Sequence, residues 1–110
     1  MPIEHRQVDS TAVVAISGRL VFGRETERLE SLVKDLSAQG GRKFVFDISA
    51  LDYIDSSGVG ALISCLTLIK KAGGELRLAG ANPRIQRILG MTGVDKLLRI
   101  YPTVDAAVAG

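Results

Sequence analysis

At 110 residues the chain has the length of one domain, spanning 1–110, and can bury a core without metals or disulfides. Its 46% hydrophobic and 24% charged residues exclude a disordered or fibrous protein, and a net charge of +2, from 14 basic against 12 acidic groups, supplies no basic block for direct nucleic-acid binding. One cysteine, Cys65, excludes an internal disulfide and a cysteine-cluster zinc site, and with His5 as the single histidine neither a metal nor a cofactor is expected.

In chain order, "PIEHRQVDSTAVVAISG" holds two strand-like runs on either side of Asp9, Ser10 and Thr11, which predicts an antiparallel hairpin. "GRETERLESLVKDLSAQGG" places Leu29, Leu32, Val33 and Leu36 on one helical stripe, closed by Gly40 and Gly41. "KFVFDI" is a short apolar strand of the kind covered on both faces. A second helix is expected from Ser56 to about Ala72, stopped by Gly73 and Gly74, with Lys70 and Lys71 where cations suit the helix dipole. "ELRLAG" reads as a strand. "NPRIQRILG" reads as a helix with Asn82 at the N-cap, Pro83 at the first position and Gly90 just past its end. A loop through Met91, Thr92 and Gly93, a strand in "KLLRIY" and a terminal helix from Thr103 complete the order β-β-α-β-α-β-α-β-α. Strands alternating with helices predict an α/β fold with a mostly parallel central sheet, to which the hairpin adds an antiparallel N-terminal edge strand. No apolar run approaches the ~18 residues of a membrane span, and "MPIEHRQVDS" has no signal-peptide core, so a cytoplasmic protein without membrane insertion is expected.

Chemistry concentrates in "DYIDSSGVGALI", at the mouth of the second helix and after the strand that ends near Asp47, where sites of parallel sheets gather. Read locally, "DSSG" is a helix start: Asp55 caps backbone amides and complements the dipole. That leaves Gly58 and Gly60 unexplained, since each costs about 1 kcal/mol relative to alanine inside a helix; their missing side chains would let another backbone or a partner protein come close. A catalytic serine has no support, because His5 is far away in sequence and the G-x-S-x-G elbow is missing. A P-loop is excluded by the absence of GxxxxGK[ST]. Weak anion binding at the helix mouth would be opposed by Asp52 and Asp55. Along the helix, Val59, Leu62, Ile63, Leu66 and Ile69 have core spacing, whereas Ala61, Ser64 and Leu68 lie off that stripe and could form a contact surface. Cys65 reads as a small buried hydrophobe, and Arg84 and Arg87 as a solvated face.

The stretch "VFDISALDYIDSSGVGALI" resembles the signature of the STAS domain, and specifically of bacterial anti-sigma factor antagonists; "AISGRL", "KKAGGELRLAGANPRIQRILGMTGV" and "TVDAAV" extend the resemblance over nearly the whole chain. The resemblance implies a single STAS-like domain and a non-enzymatic switch. Its phosphorylated residue is the serine after the aspartate, here Ser56. Its partners are an anti-sigma factor that is itself a serine kinase, which the unmodified form sequesters to free a sigma factor, and a PP2C-type phosphatase that reverses the modification. The implied partner surface is Asp55, Ser56, Ser57, Gly58, Val59, Gly60, Ala61 and Ser64, with Asp47 supporting the loop by hydrogen bonds. The pattern departs at "GRLVFGRET", where Val21 stands in place of the family's acidic residue. An alternative within the same fold is an accessory subunit of a membrane transporter, such as a lipid-transport ABC system; such subunits often lack the Asp-Ser pair.

Overall fold

The computed structural model describes residues 3–110, so Pro2 of the expected first strand lies outside them. β1 (Ile3–Val8) and β2 (Thr11–Ile16) form the expected hairpin, turning at Asp9, which adopts φ +56, a left-handed conformation that aspartate tolerates. β3 (Gly18–Leu20), α1 (Arg24–Ala38), β4 (Lys43–Asp47), β5 (Leu51–Ile54), α2 (Ser56–Lys71), β6 (Glu75–Ala79), α3 (Pro83–Thr92), β7 (Ile100–Tyr101) and α4 (Val104–Ala109) follow. The main sheet runs β1-β2-β4-β6-β7, parallel throughout except for the β1–β2 hairpin. The α/β fold with an antiparallel edge is therefore as the sequence predicts.

Two strands interrupt the predicted order. β3 leaves the end of β2 at Gly18, whose φ of +74 turns the chain, and β5 follows β4 after three residues. They pair in parallel as a small second sheet that carries the chain to the start of α2. The helix mouth thus follows β5, not the strand ending at Asp47. α3 also exceeds its predicted end: Gly90 and Met91 lie inside it, and Gly93, at φ +80, makes the left-handed C-cap. The Thr92 hydroxyl donates to Ile88 O at 2.8 Å and so satisfies one of the last carbonyls. The strand expected in "KLLRIY" is shortened to Ile100–Tyr101 because Val94–Lys96 form a 3-10 turn.

The core lies mainly on one face of the sheet, where Phe44, Phe46 and Leu78 meet Leu29 and Val33 of α1 and Leu62 and Ile69 of α2, all buried. The opposite face buries Val13, Val45 and Ala79 under α4 at Ala107. β4 is therefore covered on both sides, as its apolar run predicts. The capping of α4 is local: Thr103 Oγ1 accepts from Ala106 N–H at 3.1 Å.

α2 sits against the small sheet so closely that only glycine fits at position 58. A Cβ on Gly58 would lie well inside contact distance of Leu20 O and 2.6 Å from Ile54 Cγ1. Gly60, on the outer side of the same turn, would meet nothing within 4 Å. The two glycines should therefore respond in opposite directions in urea unfolding. Gly58→Ala is expected to lose about 1–3 kcal/mol by overpacking, and Gly60→Ala to gain up to about 1 kcal/mol from helix propensity.

Candidate functional site

β5 delivers Asp55 to the N-cap of α2 in an extended conformation. Asp55 Oδ1 accepts from Gly58 N–H at 2.8 Å, the bond expected of an N-cap, and its second oxygen, Oδ2, accepts from Phe22 N–H at 3.2 Å. One carboxylate therefore holds both the first turn of α2 and the loop between β3 and α1. The Gly58 amide is the main cause holding the Asp55 carboxyl below its ordinary value; partial desolvation opposes it, and Phe22 N–H adds to it. Asp55 N–H also donates to Leu20 O at 3.3 Å, so backbone and side chain are both tied to the β3 strand.

Ser56 opens α2 and is exposed, and Ser57 beside it is half-buried. The exposed residues of the helix continue through Gly60, Ile63, Ser64 and Thr67, a stripe at helical spacing that begins with Ser56. Asp55, the carboxylate next to Ser56 in sequence, is engaged by two amides, and His5 is on β1.

Several residues expected on the partner surface face inward instead. Gly58, Val59 and Ala61 are buried, Gly58 because its own β3 strand, not a partner, makes the close backbone approach. Ile63, expected in the core, is exposed. The burial of Ala61 and the exposure of Ile63 have one cause. α1 packs along α2, so the buried arc is rotated toward Ala61 and Cys65, leaving Ile63 on the open flank. A groove of about 370 Å³ between the two helices is lined by Glu27, Glu30 and Lys34 of α1 and Ser64 and Leu68 of α2. Cys65, at its floor, is buried, and burial, with Glu30 adding to it, pushes its thiol up to about 12. It is inert at neutral pH.

Asp47 supports the segment that follows its strand by hydrogen bonds, as expected. Its Oδ1 accepts from Ser49 N–H at 3.1 Å and from Ser49 Oγ–H at 2.7 Å, which fixes the turn between β4 and β5 and so the approach to Asp55. Phe22, which sequence reasoning passed over, is 82% exposed although its backbone is tied to Asp55. The available signal was a large apolar residue in the glycine-flanked loop "VFG", which no apolar periodicity explains. Because the folded Asp55 carboxyl is lowered, its ionised form stabilises the fold above the ordinary aspartate value of 3.8, and the contribution disappears as pH falls through the folded value. Asp55→Ala should accordingly melt below wild type at neutral pH. The gap in Tm, followed by circular dichroism, should narrow at pH below 3.8.

Among the described residues no helix is long and apolar enough to cross a membrane. Compared with known proteins, the chain matches the STAS domain family over residues 2–107. A Thermotoga neapolitana relative, provisionally named an anti-sigma factor antagonist homologue, is 30% identical over 69 residues; the match spans 63% of this chain and 61% of that protein's length. The anti-sigma F factor antagonist of Paenibacillus polymyxa is 29% identical over 103 residues, covering 92% of this chain and 86% of that protein. Among solved structures, a Thermotoga maritima protein provisionally named an anti-sigma factor antagonist superposes with a TM-score of 0.89 at 24% identity, over 97% of this chain and 92% of that one. The Bacillus cell fate determinant SpoIIAA in its phosphorylated form superposes with a TM-score of 0.76 at 19% identity, over 97% and 96% of the two chains. A sulfate transporter family protein of Wolinella succinogenes shares the fold at 25% identity and a TM-score of 0.82, over 93% and 84%. With the match covering nearly its whole length and the parallel sheet, hairpin edge and Asp-Ser helix mouth in place, this chain belongs to the STAS domain family.

Proposed function

We propose that the chain is an anti-sigma factor antagonist, a non-enzymatic switch of the cytoplasm whose phosphoacceptor is Ser56. The unmodified form binds an anti-sigma factor with serine kinase activity and thereby frees a sigma factor. Phosphorylation of Ser56 releases that partner, and a PP2C-type phosphatase restores binding. The observation that carries this reading is the exposed Ser56 hydroxyl on the first turn of α2, directly after a doubly bonded Asp55 and one turn before a glycine with open space above it. The names of the Paenibacillus and Thermotoga relatives support the same reading, as does the existence of a phosphorylated form of SpoIIAA on the same fold.

The switch works at the docking surface. A helix N-terminus accommodates a phosphate, so the free fold changes little. The modification adds about −1.5 to −2 charges. Placed about 5 Å from a carboxylate of a docked partner, at an effective dielectric between ~40 and ~80, these repel it by roughly 1.2–3.3 kcal/mol. That corresponds to about an 8- to 250-fold loss of affinity before any steric clash.

The test is incubation of the purified protein with each purified anti-sigma-type serine kinase of its source organism and ATP, followed by mass spectrometry and by binding measurements. One phosphate on Ser56 is expected, with Ser56→Ala retaining kinase binding and Ser56→Glu, which adds a single charge, weakening it about 4- to 16-fold by the same arithmetic. Equal affinity of wild type, Ser56→Ala and Ser56→Glu for the kinase would defeat the reading. Copurification of the protein with ATPase and permease subunits would point to the transporter role instead.

A further inference from the structure

Phe22 is the most exposed large apolar side chain among the described residues. The backbone that carries the ring is fixed on both sides. Phe22 N–H donates to Asp55 Oδ2 at 3.2 Å. One residue later, Gly23 O accepts from Thr26 Oγ1–H at 2.9 Å and from Glu27 N–H at 3.4 Å, which locks the start of α1. The aromatic side chain is thus held out from a fixed point, one aspartate side chain and one residue step of about 3.8 Å from Ser56.

We propose that Phe22 is the apolar anchor of the Ser56 docking surface, and that the partner receives it in an apolar pocket beside the site that meets the serine. This rests on the reading given above and adds the chemistry of the partner. Three observations carry it. The Phe22 backbone is tied to the Asp55 carboxylate, the residue directly before Ser56, so the exposed ring is carried by the same fixed unit as the serine. Its backbone is ordered before binding, so little conformational freedom is lost on docking. The residues closest to it in the loop, Val21 and Gly23, are half-buried and uncharged, so the ring stands without a charged side chain immediately beside it in sequence. Large aromatic residues on fixed supports are the kind that dominate binding when they fill a desolvated pocket. Burying a phenylalanine ring is worth about 10- to 150-fold in affinity. Carried by the loop bonded to Asp55, such an anchor would bring the partner surface within range of a phosphate on Ser56, so that esterification of the serine acts on a complex already positioned to feel it.

The experiment measures affinity of the full chain for the kinase that modifies Ser56, by calorimetry, with wild type, Phe22→Leu, Phe22→Ala, Phe22→Asp and Ser56→Glu. Circular dichroism melts accompany each variant; substitution of so exposed a side chain leaves Tm unchanged. Expected are a loss of about tenfold or more for Phe22→Ala, a loss within about fivefold for Phe22→Leu, which keeps an apolar side chain, and the largest loss for Phe22→Asp, which puts a charge into an apolar pocket. A complex that Ser56→Glu weakens but Phe22→Ala leaves intact would overturn this inference while preserving the switch. Tighter binding by Phe22→Asp would also overturn it, since it would show a basic pocket on the partner. A concentration-dependent dimer abolished by Phe22→Ala, with kinase affinity unchanged, would assign the ring to contact between copies and overturn it as well. If wild type binds none of the kinases, both the switch and this inference fall.

Discussion

The Asp55 carboxylate is the constraint on which the site depends. Each of its oxygens meets a different backbone amide, Gly58 within α2 and Phe22 in the loop before α1. These segments are far apart in sequence and come together because β3 and β5 pair in parallel, ending side by side at Leu20 and Ile54. An N-cap aspartate ordinarily serves its own helix. Here the same group also ties a neighbouring loop to it, so the position of Ser56 is set by the small sheet, the cap and the loop together.

Close backbone approach reinforces the cap. With Gly58 against Leu20 O and Asp55 N–H bonded to that same carbonyl, α2 meets β3 with no side chain between them. The helix then divides its labour by face. Its inner arc, Leu62, Cys65 and Ile69 among it, packs on the sheet and α1, while Ser56, Gly60, Ser64 and Thr67 remain in water. Glycine thus serves two purposes within one turn: at 58 it allows the protein's own backbone to come close, and at 60 it leaves the surface bare.

The sheet and its helices were legible because apolar periodicity and helix starts report burial directly, as in "KFVFDI" and in the cap and proline of α3, although its stop is Gly93 and not Gly90. β5 was not, because its two middle residues, Asp52 and Tyr53, are both exposed and break the alternation that marks a strand. β3 is three residues long and joins β2 after one residue, so only tertiary pairing distinguishes it. At the site, the N-cap role of Asp55 and the helix start at Ser56 follow from residue types, whereas its second bond, to Phe22, is long-range and leaves no local mark. The burial of Ala61 and exposure of Ile63 likewise depend on which side α1 occupies, and a hydrophobic stripe on one helix carries no information about its neighbour.

A charge switch of a few kcal/mol is small beside the 5–15 kcal/mol that holds a domain of this size together. It can nevertheless govern binding if the surface that carries it does not yield, because a loop free to move would carry the phosphate away from the partner and lose the repulsion. The arrangement around Ser56 meets that condition by geometry: the residue before it is bonded at backbone and side chain, and the third residue of its helix is in contact with the adjacent strand. On the proposed reading, the same stiffness is why a phosphoacceptor would lie on a helix and not in a mobile loop. A kinase would require an accessible serine, which the first helical turn provides, and a complex regulated there would require a fixed one, which the cap and the glycine contact provide.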